Sequence, residues 1–242
     1  PPRSTLFPYT TLFRSSGVVY VASRSFQSVS ENSLHCFCSC VGEYYYMGVM
    51  LSAAASLKWW VESILHSEDY DALLQEVDTE SMDHSILFLP YLTGERSPVN
   101  DPTAEGVFYG LQMRHQRRDM TRAVLEGVAF ALRDSLEIAR KLGHDITKAR
   151  IVGGGAKSAK WTQIIADVSN VSIETLENHP GPSLGAAMLA YCAVHSDSSL
   201  REVVRRSIQP SDVVQPRLTM TREYQIKYLR YGQLYPALSE LR

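Results

Sequence analysis

Hydrophobic and polar positions alternate along the chain in a way that predicts an α/β protein. Residues 17–23 (GVVYVAS) are β-branched and apolar and predict a strand, with further extended stretches over 34–40 and 44–46. From residue 49 to 65 the pattern changes to Ala, Leu, Trp and Ile at helical spacing, which predicts a helix, and 70–77 predicts a shorter one. An apolar run over 86–92 is broken by Pro90 and leads into the polar loop TGERSPVNDPTAEG. The longest helix is expected over 120–142, with Asp119 as its N-cap and Gly143 as its C′ residue. Val124, Val128, Ala131, Leu132, Ser135, Leu136, Ala139 and Leu142 form its apolar stripe, and Arg122, Glu126, Arg133, Glu137 and Lys141 fall elsewhere on it. A strand over 149–152, a glycine turn, a helix over 158–168, a strand over 171–175 and a Gly/Ala-rich helix over 184–194 follow. Such alternation implies helices packed on a mixed sheet. Residues 217–235 predict a peripheral helix that stops before Pro236.

The first fifteen residues, PPRSTLFPYTTLFRS, follow neither period and resemble translated sequencing-adapter read-through. They are expected to be a non-native tail, with native sequence from Ser16. The 242 residues carry 24 Lys+Arg against 26 Asp+Glu, a net charge of −2, which argues against general nucleic-acid binding. No apolar run approaches the ~20 residues that cross a bilayer, and no signal peptide is evident at the N-terminus. Four cysteines are too few for a disulfide scaffold at this length, so the chain reads as soluble and cytoplasmic. His35, Cys36, Cys38 and Cys40 lack the spacing of a zinc site, and alternating thiols are expected to line one face of a strand as small buried hydrophobes. No metal ligand is assigned.

The segment Gly153-Gly154-Gly155-Ala156-Lys157-Ser158 is the main candidate for chemistry. Three glycines after an apolar strand and before a helix suit either a plain turn or a backbone that must approach an anion, whose charge the helix start attracts. It matches neither the Walker loop nor the GxGxxG fingerprint. Gly185, Ala186 and Ala187 suit close packing of a helix on a neighbour. Glu95 and Arg96 face either a cleft or domain interface, or each other in a local salt bridge. Trp59 and Trp60 read as one surface and one core residue, and Trp161 as packing behind the glycine turn. His115, Arg117 and Arg118 read as a solvated loop before the long helix, and Asp167 as a capping or packing residue.

FLPYLTGERSP (88–98), GVFYGL (106–111), RAVLEGVAFALRD (122–134), IVGGGAKSAKWTQIIADV (151–168) and GPSLGAAMLA (181–190), taken in this order, resemble the C-terminal domain of the FGGY-family carbohydrate kinases. HCFC followed by YYYMGVMLS adds to the likeness, which is greatest to the xylulokinase branch. The resemblance implies a ribonuclease-H-like fold of the actin/Hsp70/sugar-kinase type, with residues 16–242 as the nucleotide-binding domain and a sugar-binding domain missing. It implies ATP and Mg²⁺ as cofactors, a small sugar as substrate, and a homodimer as a possible state of the intact protein. Gly153, Gly154 and Gly155 would approach the ribose and phosphates, and Lys157, Ser158 and Gln163 the adenosine. Gly17 would end a phosphate turn, and Gly181 and Gly185 would lie on the helix supporting the interdomain hinge. The family's general base, an Asp in a Gly-Gly-x-Asp-Asn segment, has no counterpart in this sequence, so the chain is expected to be inactive alone. A stand-alone nucleotide-binding or regulatory module, and a kinase for another sugar or polyol, are the alternative readings.

Overall fold

The computed structural model describes residues 16–28, 33–177, 181–195 and 197–241; the expected tail over 1–15 lies outside them. Strands β1 (Gly17–Ser23), β2 (His35–Cys38) and β3 (Tyr44–Met50) form an antiparallel sheet in the order β1-β3-β2. Helix α1 (Ala54–Lys58) widens into a π turn over Trp59–Ile64, and α2 (Tyr70–Glu76) follows. Strands β4 (Leu87–Leu89) and β5 (Val107–Tyr109) pair antiparallel ahead of the long helix α3 (Arg117–Lys141). Then come β6 (Lys148–Arg150), a 3-10 turn over Gly154–Lys157, α4 (Ala159–Ser169), β7 (Ser172–Leu176) and α5 (Pro182–Val194). Helix α6 (Leu200–Ser207), β8 (Pro210–Val214), α7 (Leu218–Tyr231) and α8 (Leu234–Ser239) complete the described chain. The α/β class is as expected, but the strands divide among three sheets; the third is mixed, with β6 parallel and β8 antiparallel to β7.

Helix α3 is the spine. Every residue from Thr121 to Ala131 is buried, which a one-sided stripe does not predict. Trp60, Phe88, Trp161, Ile164 and Tyr224 pack in the same core as its Val124, Leu125, Val128 and Phe130. At Gly127 a Cβ would lie 2.2 Å from the carbonyl oxygen of Phe88, so only glycine lets α3 close onto β4. Gly48 does the same for β3, where a Cβ would lie 2.1 Å from Ser135 Oγ. That contact explains why β3 continues to Met50 instead of yielding to a helix at residue 49: Tyr46, Gly48 and Met50 face inward along one period-2 row.

Arg122 and Glu126, expected on a polar face, are buried in an ionic cluster. Glu126 Oε1 accepts from Arg122 Nε at 2.7 Å and from Tyr224 Oη at 3.0 Å. Its Oε2 accepts from Lys227 Nζ at 2.5 Å, and that ammonium also donates to the Asp83 carbonyl at 2.6 Å. Charges this far from water persist only when paired and fully hydrogen-bonded. Burial pushes the Glu126 carboxyl up, but Lys227 and Arg122 together hold it below its ordinary value. The cluster brings α7 into the core, so 217–235 is not a peripheral helix: Tyr224, Lys227 and Tyr231 are buried, and the helix restarts as α8 with Pro236 in its first turn.

Three smaller expectations are also corrected. Asp119 is not the N-cap of α3; it stands three residues further in and accepts from Gln116 N at 2.8 Å, so the helix begins at Arg117. Arg117 and Arg118 therefore belong to α3, and the His115 ring is buried, its Nδ1 accepting from Gln112 N at 2.9 Å and its Nε2 lying 3.2 Å from Asp83. The row of buried thiols does not form: β2 is an edge strand of its sheet, and Cys36 is half-buried while Cys38 and Cys40 are exposed.

Glu95 is a second buried carboxylate. Its Oε1 accepts from Leu51 N at 2.9 Å and Arg96 N at 2.7 Å, while Oε2 is buried without a hydrogen-bond partner. Burial raises this carboxyl to about 7, with the Asp134 carboxylate adding to the rise.

Removing the Glu126 carboxylate strands two buried cations. Glu126→Ala is expected to lower the free energy of unfolding by about 3–5 kcal/mol in urea titrations, and a loss below about 1 kcal/mol contradicts the clamp. Folded Glu95 keeps its proton up to about pH 7, whereas the unfolded chain releases it near pH 4, so stability falls as pH rises between these values and levels off above them. Urea midpoints measured from pH 5 to pH 8 are expected to fall, and Glu95→Gln to flatten that fall; an equal slope in the variant contradicts the assignment.

Candidate functional site

A cavity of about 580 Å³ opens between α1, α2 and the glycine turn. Gly153 adopts φ +95°, a backbone conformation that residues with a Cβ rarely reach, and it reverses the chain after β6. The 3-10 turn over Gly154–Lys157 follows, and Ser158 then caps α4, its Oγ accepting from Trp161 N at 3.2 Å. The first N–H groups of such a turn have no partner within it. A Cβ at Gly153 or Gly154 would meet no atom within 4 Å, so the turn presents its backbone to open space. Behind it the buried Trp161 ring lies 3.5 Å from where a Gly155 Cβ would stand, and the indole Nε1 donates to the Leu125 carbonyl at 3.2 Å. The turn is thereby braced against α3.

The far wall is apolar and carries a polar edge. Ala54 and Leu57 come from α1, and Tyr70, Asp71, Leu74 and Gln75 from α2. Tyr70 Oη donates to Glu62 Oε1 at 2.8 Å, and burial together with that carboxylate raises the phenol to about 12. Lys58, 3.7 Å from Glu62, and the exposed Lys157 place two ammonium groups on the cavity lining. Lys160 is committed elsewhere, donating to the carbonyls of Gln75 at 2.6 Å and Val77 at 2.7 Å. The result is a slot with greasy walls, exposed backbone donors at one end and cations near them: a shape and charge suited to a flat heterocycle carrying a phosphate.

Of the residues singled out in the sequence, Gly154, Gly155, Lys157 and Ser158 line this cavity, and Gly153 shapes its shoulder. Gln163 does not: its Nε2 donates to Asp167 Oδ1 and to the Gln215 carbonyl, both at 3.0 Å. Gly17 opens β1 in close contact with α1, where a Cβ would lie 2.8 Å from Ala53 Cβ. Glu95 is buried outside the cavity, and Arg96 Nε donates to His35 Nε2 at 3.1 Å instead of pairing with it. Their loop is nonetheless sewn to the chain entering α1, through Glu95 on Leu51 and Ser97 N donating to the Val49 carbonyl at 2.9 Å. Gly181 caps α5 and Gly185 lies exposed within it. The contribution of α2 was not read from the sequence, since Tyr70, Asp71, Leu74 and Gln75 carry only the pattern of a short amphipathic helix.

Residues 15–194 match the model of the FGGY family of carbohydrate kinases, C-terminal domain. A xylulose kinase of Staphylococcus epidermidis is 35% identical over 228 residues, covering 93% of this chain and 46% of the relative. One from Escherichia coli K12 is 38% identical over 194 residues, covering 78% of this chain and 40% of the relative. The crystal structure of a xylulose kinase from Brucella ovis superposes with a TM-score of 0.85 at 37% identity, over 94% of this chain and 47% of that one. The chain thus spans about half the length of the curated relatives it matches. A motif series running through β4, α3, the glycine turn and α5, a matching three-dimensional arrangement and this family match together show that the chain belongs to the FGGY family of carbohydrate kinases, to whose C-terminal domain it corresponds.

Proposed function

We propose that this chain is the nucleotide-binding half of an ATP-dependent sugar kinase, and that in the whole protein the acceptor is D-xylulose, giving D-xylulose 5-phosphate and ADP. The observation carrying this reading is the open, unplugged glycine turn on the 580 Å³ cavity. The base of ATP lies against Leu57, Leu74 and Trp161, while the N–H groups at Gly154 and Gly155 and the Lys157 ammonium receive the phosphates. The relatives named as xylulose kinases favour the ketopentose over other sugars or polyols. The reaction takes place in the cytoplasm, and among the described residues no helix is long and apolar enough to cross a membrane.

Phosphoryl transfer depends on positioning and on neutralising charge. Mg²⁺, when bound with the nucleotide, supplies that neutralisation. The described residues do not build a cage for it: no group of three His, Cys, Asp or Glu side chains is poised to hold a metal, and Asp71 is the one carboxylate on the cavity lining. The cation would then be held by the nucleotide phosphates and by residues outside the described ones. The general base is assigned to the other half of the enzyme, because the Gly-Gly-x-Asp-Asn segment that carries it in the family has no counterpart in this sequence. Helix α5 is the docking element: of its thirteen apolar-rich residues only Met188 is buried, and Leu189, Tyr191 and Val194 are exposed. An apolar surface of this kind marks an interaction site.

Gly154→Leu tests the cavity, because the added side chain enters open space in the fold but occupies the path of the phosphates. Its thermal midpoint is expected to match that of the unsubstituted chain while ATP affinity in calorimetry falls by more than about tenfold; unaltered affinity contradicts the reading. With ATP, Mg²⁺ and D-xylulose, the chain alone is expected to release no ADP above the blank, and sugar-dependent turnover overturns the assignment of the base to the other half.

A further inference from the structure

The two lysines at the start of α4 do different work. Lys157 is exposed on the 3-10 turn, beside the backbone donors. Lys160, one helical turn on, directs its ammonium across the cavity to the end of α2, donating to the Gln75 carbonyl at 2.6 Å and the Val77 carbonyl at 2.7 Å. The last carbonyls of a helix have no partner within it, and a cation there is favourable for both the hydrogen bonds and the helix dipole. Here the cation comes from a separate element, so the contact also fixes the distance between two cavity walls.

Helix α2 needs such a tie. It has seven residues, of which only Leu73 is buried, and Tyr70, Asp71, Leu74 and Gln75 line the cavity. Leu73 enters the core with Tyr70 and Leu74 packed against it, and the polar links lie at the helix ends: Tyr70 Oη holds Glu62, and Glu76 pairs with Arg117 on α3. A helix this short is not stable on its own. Left loose, it would have to be ordered each time a ligand enters, and that entropy would be lost from the binding free energy.

We infer that Lys160 is a positioning residue for the nucleotide: by clasping the C-terminal carbonyls of α2 it holds the wall against which the base packs. The inference rests on the nucleotide reading of the cavity. Lys160 acts on the base end and Lys157 on the phosphate end, so substituting them has different consequences for a nucleotide and for its nucleoside. Loss of the clasp weakens ATP and adenosine alike; loss of the phosphate-side cation weakens ATP alone.

Calorimetric titration of the full chain with ATP and with adenosine separates these cases, with hydrogen exchange over residues 70–77 followed in parallel. Lys160→Met is expected to weaken both ligands by about tenfold or more and to speed exchange in α2, while Lys160→Arg, which still reaches two carbonyls, restores both to within about threefold. Lys157→Met is expected to weaken ATP by a similar factor and leave adenosine within about twofold. Lys141→Met, removing the same charge from the far end of α3, is expected to change neither. Should Lys160→Met not fold, Lys160→Gln carries the same comparison. If the Lys160 variant weakens ATP but not adenosine, its ammonium is a phosphate contact and the clasp is wrong. If affinity and exchange are both unchanged, the clasp is likewise wrong while the cavity reading stands. If the unsubstituted chain binds neither ligand, the cavity reading falls and the inference with it.

Discussion

One carboxylate in the middle of α3 organises the protein. Glu126 is buried between Arg122 on its own helix and Lys227 on α7, with Tyr224 completing its hydrogen bonds. An isolated charge in that place would cost several kcal/mol, so α3 cannot occupy the core unless α7 brings its cation there. The helix that carries Glu126 also carries Gly127, which admits the Phe88 carbonyl, and Leu125, whose carbonyl accepts the Trp161 indole. Register along α3 therefore fixes three neighbours at once: α7 through charge, β4 through close approach, and the start of α4 through a hydrogen bond.

The candidate site inherits its shape from that register. Trp161 is the link, since one edge of its ring is anchored to α3 and a face supports Gly155. The glycine turn stays open because Gly153 takes the positive φ and Ala156 alone turns inward. On the opposite side α1 is held by the loop containing Glu95 and Ser97, which hydrogen-bonds to Leu51 and Val49 just before the helix begins. The two charged residues of that loop have separate partners: Glu95 braces the entrance to α1 through Leu51 N, and Arg96 Nε donates to His35. Neither contacts the cavity, yet one of them sets where its α1 wall starts.

What the sequence made legible was local. The strand at 17–23, the long helix, the glycine turn and the packing of Trp161 behind it all follow from periodicity and from residues with a narrow conformational range. What escaped was whatever depended on a partner far away in the chain. Placing Arg122 and Glu126 away from the apolar stripe of α3 failed because Arg122 pairs with Glu126 and that carboxylate is also satisfied by Lys227, about a hundred residues on. The end of β3 was misplaced because Gly48, which reads as a strand breaker, is where the strand touches Ser135. Helix α6 was missed although Ser199 and Glu202 spell a capping box, and β8 because a Pro-Ser-Asp edge strand lacks an apolar row. At the site, Lys157 and Ser158 were visible through the glycines beside them, whereas Lys58 and Tyr70 have no motif and Lys160, though within the 151–168 stretch, was given no role; they enter through the way α1, α2 and α4 converge.

The central claim is that the turn after β6 presents its backbone donors to the phosphates of an adenine nucleotide. Following the backbone amide resonances of the chain during titration with ADP tests it most directly. The account predicts that the Gly154 and Gly155 amides shift first and furthest, together with Ser158 and the α2 residues Leu74 and Gln75. Shifts confined to another surface, such as the arginine-rich start of α3 at Arg117 and Arg118, would contradict it.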